Sequence, residues 1–206
     1  QIRPVAQLLG EQIRVSLVKG QRNQAVELLQ TLEEIARDHS SEHGGRAELP
    51  AIAALARARI LTSVDSQAAL QALDEVRHYA DSFQRHRLGV LADLLCAGVL
   101  DDLDRPEDSL ARLREAVENG RRLGLVRTLL DEGALSEKLL SRLSQSPLDT
   151  PLRQYVDELL GKLTGPCAPP LPTSRSRRTT TTGQAPQLTP RERVILSLVS
   201  QAMSSK

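Results

Sequence analysis

The chain has 206 residues, 40% hydrophobic and 26% charged, which suits one large domain or one domain with a small appendage. Two Tyr, one Phe and no Trp are too few aromatics for a β-sandwich or barrel, whose strands lean on aromatic and β-branched residues. The formal net charge of +1 hides an asymmetry: residues 164–206 hold six basic residues and one acid, Glu192, so a mildly acidic body precedes a basic end that would suit a polyanion.

Leu, Ala, Arg, Glu and Gln dominate, and these residues lose least on entering a helix, so an all-α fold is predicted. The first helical stretch covers residues 5–18 and ends at Lys19-Gly20-Gln21. A second follows, and residues 39–48, with Gly44-Gly45, read as a loop. Residues 50–62 and 87–100 are further helical stretches, each followed by a turn (63–66 and 101–105) and another helix. The last of these opens on Pro106, which needs no N–H donor there, followed by Glu107 and Asp108, which suit the positive helix end.

The second helices of the three pairs repeat one pattern. Ala25, Ala69 and Ser109 are small, and each is followed by an apolar residue: Val26, Leu70, Leu110. Leu29, Leu73 and Leu113 come next, then Leu32, Val76 and Ala116, and a second small residue at Ala36, Ala80 or Gly120. Offsets of three and four put these side chains on one helical face, where small residues let a neighbouring helix approach. A helical hairpin repeated three times predicts a tetratricopeptide-like α-solenoid, in which each hairpin buries its apolar face against its neighbours. The spacings of 44 and 40 residues, Ala25 to Ala69 to Ser109, exceed the 34-residue tetratricopeptide period and call for longer helices or loops. A fourth, irregular unit follows, with helical stretches at 125–131, 135–143 and 151–163, the last acting as a cap. Residues 1–163 thus form a repeat domain for sensing or interaction, and an irregular helical bundle is the bland alternative.

Residues 164–187 contain five Pro, six Thr and three Arg with no acid, too little apolar surface to offset ordering entropy, and read as a flexible linker. Beyond it, residues 188–206 begin a helix: Thr189 caps, Pro190 takes the first position, and Glu192 completes a capping box. Val194, Ile195, Leu198 and Val199 line one face. One amphipathic helix does not fold alone, so the chain reads as a fragment whose remaining partners follow Lys206.

The remaining chemistry-bearing residues form no catalytic constellation. His39 and His43 lack a third metal ligand, and His78 and His86 lack a nearby nucleophile. Asp101, Asp102, Asp104, Glu107 and Asp108 lack the spaced ligands and central glycine of a calcium loop and read as a solvated turn and helix start. Cys96, in an apolar stretch, reads as a core thiol. Cys167 sits among prolines. Without a C-x-x-C pair, a signal peptide or a membrane-length apolar run, a reducing cytoplasm is expected, with no enzyme activity and no cofactor or metal within the chain.

The segment Leu188-Thr189-Pro190-Arg191-Glu192, with its apolar helix and then Ser204 and Lys206, resembles the opening of the LuxR-type helix-turn-helix domain. Ala202 and Ser205 depart from that family's usual glycine and asparagine. Residues 112–133, through Gly120-Arg121-Arg122-Leu123-Gly124 and Leu130-Asp131-Glu132-Gly133, look like the last sensor repeats of MalT-like regulators of the LuxR family. The resemblance implies a bacterial transcriptional activator with an ATP-dependent module before Gln1, since no phosphate-binding loop motif occurs here. It also implies an effector-sensing repeat region, capable of self-association, and a DNA-binding domain completed after Lys206. The recognition helix would then lie beyond this chain, leaving Thr189, Arg191 and Arg193 at most phosphate contacts. The alternative is a repeat scaffold that binds proteins or peptides and has no DNA role.

Overall fold

The computed structural model describes residues 2–39 and 47–164. The expected linker (apart from Thr164), the segment 188–206 with Thr189, Arg191 and Arg193, and also His43 and Cys167, lie outside the described residues. Among those described there are nine α-helices and no strand: α1 (Ile2–Val18), α2 (Arg22–His39), α3 (Leu49–Leu61), α4 (Ser66–Ser82), α5 (His86–Asp102), α6 (Pro106–Leu123), α7 (Val126–Leu130), α8 (Ala134–Ser144) and α9 (Thr150–Thr164). The all-α expectation holds.

Local chemistry sets the boundaries. The Asp65 carboxylate accepts from the Ala68 N–H at 3.0 Å and caps α4. Pro106, Glu107 and Asp108 open α6, which ends on Gly124 at φ 66°. Four helices close in the same way, with an N–H reaching back five residues: Gln21 to the Ser16 carbonyl (2.8 Å), Arg85 to Ala80 (2.8 Å), Arg105 to Leu100 (3.0 Å) and Leu125 to Gly120 (2.8 Å). This closure needs a left-handed residue one step earlier. Gly20 and Gly124 supply it after α1 and α6, and Gln84 (φ 53°) and Asp104 (φ 56°) supply it without glycine after α4 and α5.

The repeat register reappears in the packing. Ala25, Ala69 and Ser109 are buried, as are the following Leu29, Leu73 and Leu113 and the closing Ala36, Ala80 and Gly120. Val26 breaks the pattern: it is 37% exposed, whereas Leu70 and Leu110 pack against the cores of the later hairpins. Three apolar cores follow one another. The first joins α1, α2 and α3, the second α3, α4 and α5, and the third α5 to α9. Helices α3 and α5 each serve two cores, which explains why both are apolar around most of their circumference.

Two expectations need correction. His39 is the last residue of α2, exposed, and not part of a loop. Asp101 is not a solvated turn residue: its side chain is 3% exposed and pairs with Lys138 (2.9 Å) and Arg142, both on α8. Cations one helical turn apart on α8 converge on a carboxylate at the end of α5, and that pairing draws it inward.

Candidate ligand groove

A groove of about 680 Å³ runs between α1 and α3 on one side and the start of α5 with the α6–α7 junction on the other. Its apolar lining includes Gly10, Ile52, Leu55, Leu88, Leu91 and Leu125. Apart from Leu125, which precedes α7, these residues come from the first helices of the three hairpins, so the repeat itself builds most of the groove.

Its charge is uneven. Arg3 pairs with Glu48 at 2.6 Å, and Glu11 with Arg14 at 2.9 Å. Arg85, His86 and Arg87, at the opposite edge, are exposed and form no ion pair among the described residues. Helix α5 has no acid in its first turn and no side-chain cap. Three basic side chains therefore crowd the positive end of a helix, where acids are the stabilising choice. That local arrangement works against the helix and favours an anion arriving from outside.

Beside the groove, Arg59 and Arg14 tie the turn between α7 and α8 back to the first two hairpins. Arg59 of α3 forms an ion pair with Glu132, the two side chains being 9% and 11% exposed. Arg14 of α1 donates to the Asp131 carbonyl at 3.2 Å. Burial pulls the Arg14 guanidinium down, but the hydrogen bond to Glu11 and the nearby charges of Glu11, Glu132 and Asp131 outweigh this and raise its pKa. Arg59 lines the groove, and its buried Nε has no hydrogen-bond partner among the described residues.

Three further titratable groups lie away from this groove. Asp93 on α5 sits between Arg77 of α4 (2.7 Å) and Arg112 of α6 (3.6 Å). Its removal from water outweighs both cations and pushes its pKa up to about 6. Cys96 is a buried free thiol lining a second cavity of about 470 Å³, and burial pushes its pKa up, which disfavours the reactive thiolate. Tyr155 is likewise raised by burial.

Of the histidines that sequence singled out, His86 stands at the groove edge, while His78 is exposed on α4. No group of three or more His, Cys, Asp or Glu side chains positioned for a metal occurs among the described residues. No described helix is long and apolar enough to cross a membrane. Sequence reasoning did not single out Arg59, and it quoted Glu132 only within the Leu130-Asp131-Glu132-Gly133 stretch without giving it a site role. The available signal was a pair of arginines, Arg57 and Arg59, inside the otherwise apolar α3. Compared with known proteins, the chain matches no family profile, no curated sequence and no solved structure.

Proposed function

We propose that residues 1–163 are the sensor region of a MalT-like regulator of the LuxR family, built as a tetratricopeptide-like solenoid, with the groove as its effector surface. The observation that carries the sensing role is the groove itself: apolar within, cationic at one edge, and composed of side chains from successive hairpins. Support for the regulatory output comes from the sequence, through the Leu188-Thr189-Pro190-Arg191-Glu192 opener and its separation from the helical body by a Pro- and Thr-rich stretch. In this reading an effector changes the populations of two states of the sensor, which requires different affinities for the two. DNA is bound by the domain completed in the parent protein. ATP belongs to the parent's separate module, and this chain performs no catalysis.

The test is to titrate the parent protein with duplex DNA carrying candidate operators at several salt concentrations. Specific binding that weakens steeply with salt is expected. Absence of DNA binding, together with tight binding of a folded protein partner by the helical body, would replace this reading with that of an interaction scaffold.

A further inference from the structure

We propose that the groove receives a small amphipathic carboxylate, whose acid group takes Arg59 from Glu132 and thereby releases the α7–α8 turn from α1 and α3. This rests on the groove being the sensing surface, and adds the ligand's chemical class and the way its binding is transmitted.

Three independent features converge on it. The first is shape and polarity: about 680 Å³ with an apolar floor suits a compact ligand with an aliphatic body. The second is charge, since Arg85, His86 and Arg87 face the groove's edge with no acid paired to them among the described residues.

The third is the incomplete use of Arg59. A guanidinium offers donors in a planar fork that matches both oxygens of a carboxylate. Glu132 engages only the Nη2 donor of Arg59 and leaves the buried Nε without a partner. Nε is closed off while Glu132 is in place. Once Glu132 swings aside, a free carboxylate approaching through the groove can take Nε and Nη2 together, making one charge-assisted hydrogen bond more than Glu132 makes. A buried donor left unsatisfied is costly, so satisfying it favours the incoming acid.

The consequence is mechanical. The bonds Arg59–Glu132 and Arg14 to the Asp131 carbonyl join the first two hairpins to the α7–α8 turn. Apolar packing between them is slight, because α1 and α3 belong to cores from which α7 is absent, and only Leu135 of α8 touches one of them. Displacing Glu132 removes the stronger of the two ties. The cap formed by α7 to α9, which precedes residues 165–206, then loses its hold on the N-terminal hairpins.

The experiment uses the 206-residue chain, with decanoate as the probe and decanol as its uncharged counterpart. Affinity is read by calorimetry and exposure of residues 126–133 by hydrogen exchange. Decanoate is expected to bind more tightly than decanol and to speed exchange in that turn, which decanol leaves unchanged. Glu132→Gln weakens the internal competitor and should bind decanoate about ten-fold more tightly, the worth of one charged hydrogen bond. Arg59→Lys keeps the charge without the fork and should lose about the same factor. Should Glu132→Gln fail to fold, Arg14→Gln loosens the same turn from a half-buried position outside the cores and is expected to tighten binding several-fold. Decanoate binding no tighter than decanol, or equal affinity in the loosened variant and the natural chain, would overturn the proposal. Neither result depends on DNA, so failure here and failure of the regulator reading are separable.

Discussion

The Ser109 hydroxyl donates to the Ala97 carbonyl at 2.7 Å and fastens α6 to α5 at the position where the two earlier hairpins carry Ala25 and Ala69. All three side chains are essentially inaccessible, so the position demands small volume first and polarity second. Ser109→Ala is expected to cost about 1 kcal/mol, the net worth of one neutral hydrogen bond. Ser109→Leu should cost more, about 1–3 kcal/mol, because it forces two helices apart. Urea unfolding of the two variants gives the order directly, and a leucine variant as stable as the alanine one would contradict it.

Two glycines within helices make opposite predictions. A Cβ at Gly120 would lie 2.7 Å from Leu129 Cδ1, and Leu129 is fully buried, so Gly120→Ala must displace a packed side chain. A Cβ at Gly161 meets nothing within 4 Å. Gly161→Ala should therefore gain about 0.5–1 kcal/mol from helix propensity, whereas the same change at Gly120 should lose about 1–3 kcal/mol. Thermal midpoints that move in the same direction for both would show that the close approach of α6 to Leu129 is not limiting.

Asp93 gives the protein a pH dependence of stability with a definite sign. Its folded-state pKa, about 6, lies above the ordinary value of 3.8, so between those two pH values the folded form holds more protons than the unfolded one. Its contribution is largest below about pH 4, declines as pH rises through 6, and is flat beyond. Asp93→Asn should remove that slope and leave the protein more stable at pH 7 by on the order of 1–3 kcal/mol, since Arg77 and Arg112 are partly solvated and tolerate losing their partner. An Asn variant less stable at pH 7 would mean that the two ion pairs outweigh the desolvation.

Helix closure predicts a further pair. Gly124 and Gln84 occupy equivalent left-handed positions at φ 66° and 53°. Gly124→Ala should cost about 1 kcal/mol and Gln84→Gly should return up to about that amount. Urea midpoints for the two variants that fail to move in opposite directions would show that the turns are not equivalent.

Most of the helical scaffold was legible because its signals are local. Proline with acids opened α6, Gly20 marked the end of α1, and the small–apolar–Leu pattern located the buried face of α2, α4 and α6. The turn at Gln84 carried no such mark, since a glutamine there adopts the conformation that glycine signals elsewhere. Val26 followed the repeat yet stays exposed in the first hairpin, whereas Leu70 and Leu110 are covered. Asp101 looked solvated because the cations that bury it, Lys138 and Arg142, stand more than thirty residues away. The groove was hidden for the same reason: Arg59 and Glu132 are 73 positions apart, and neither residue type is unusual by itself.

The tie between Arg59 and Glu132 also changes how the two ends of the helical body, α1 and α9, communicate. Three cores strung along shared helices transmit a disturbance only from one to the next, so damage to the first hairpin would fade before it reached α9. The buried pair adds a second route and closes that line into a circuit. Lesions in α1 and α8 should then have non-additive effects while the pair is intact and additive effects once it is removed.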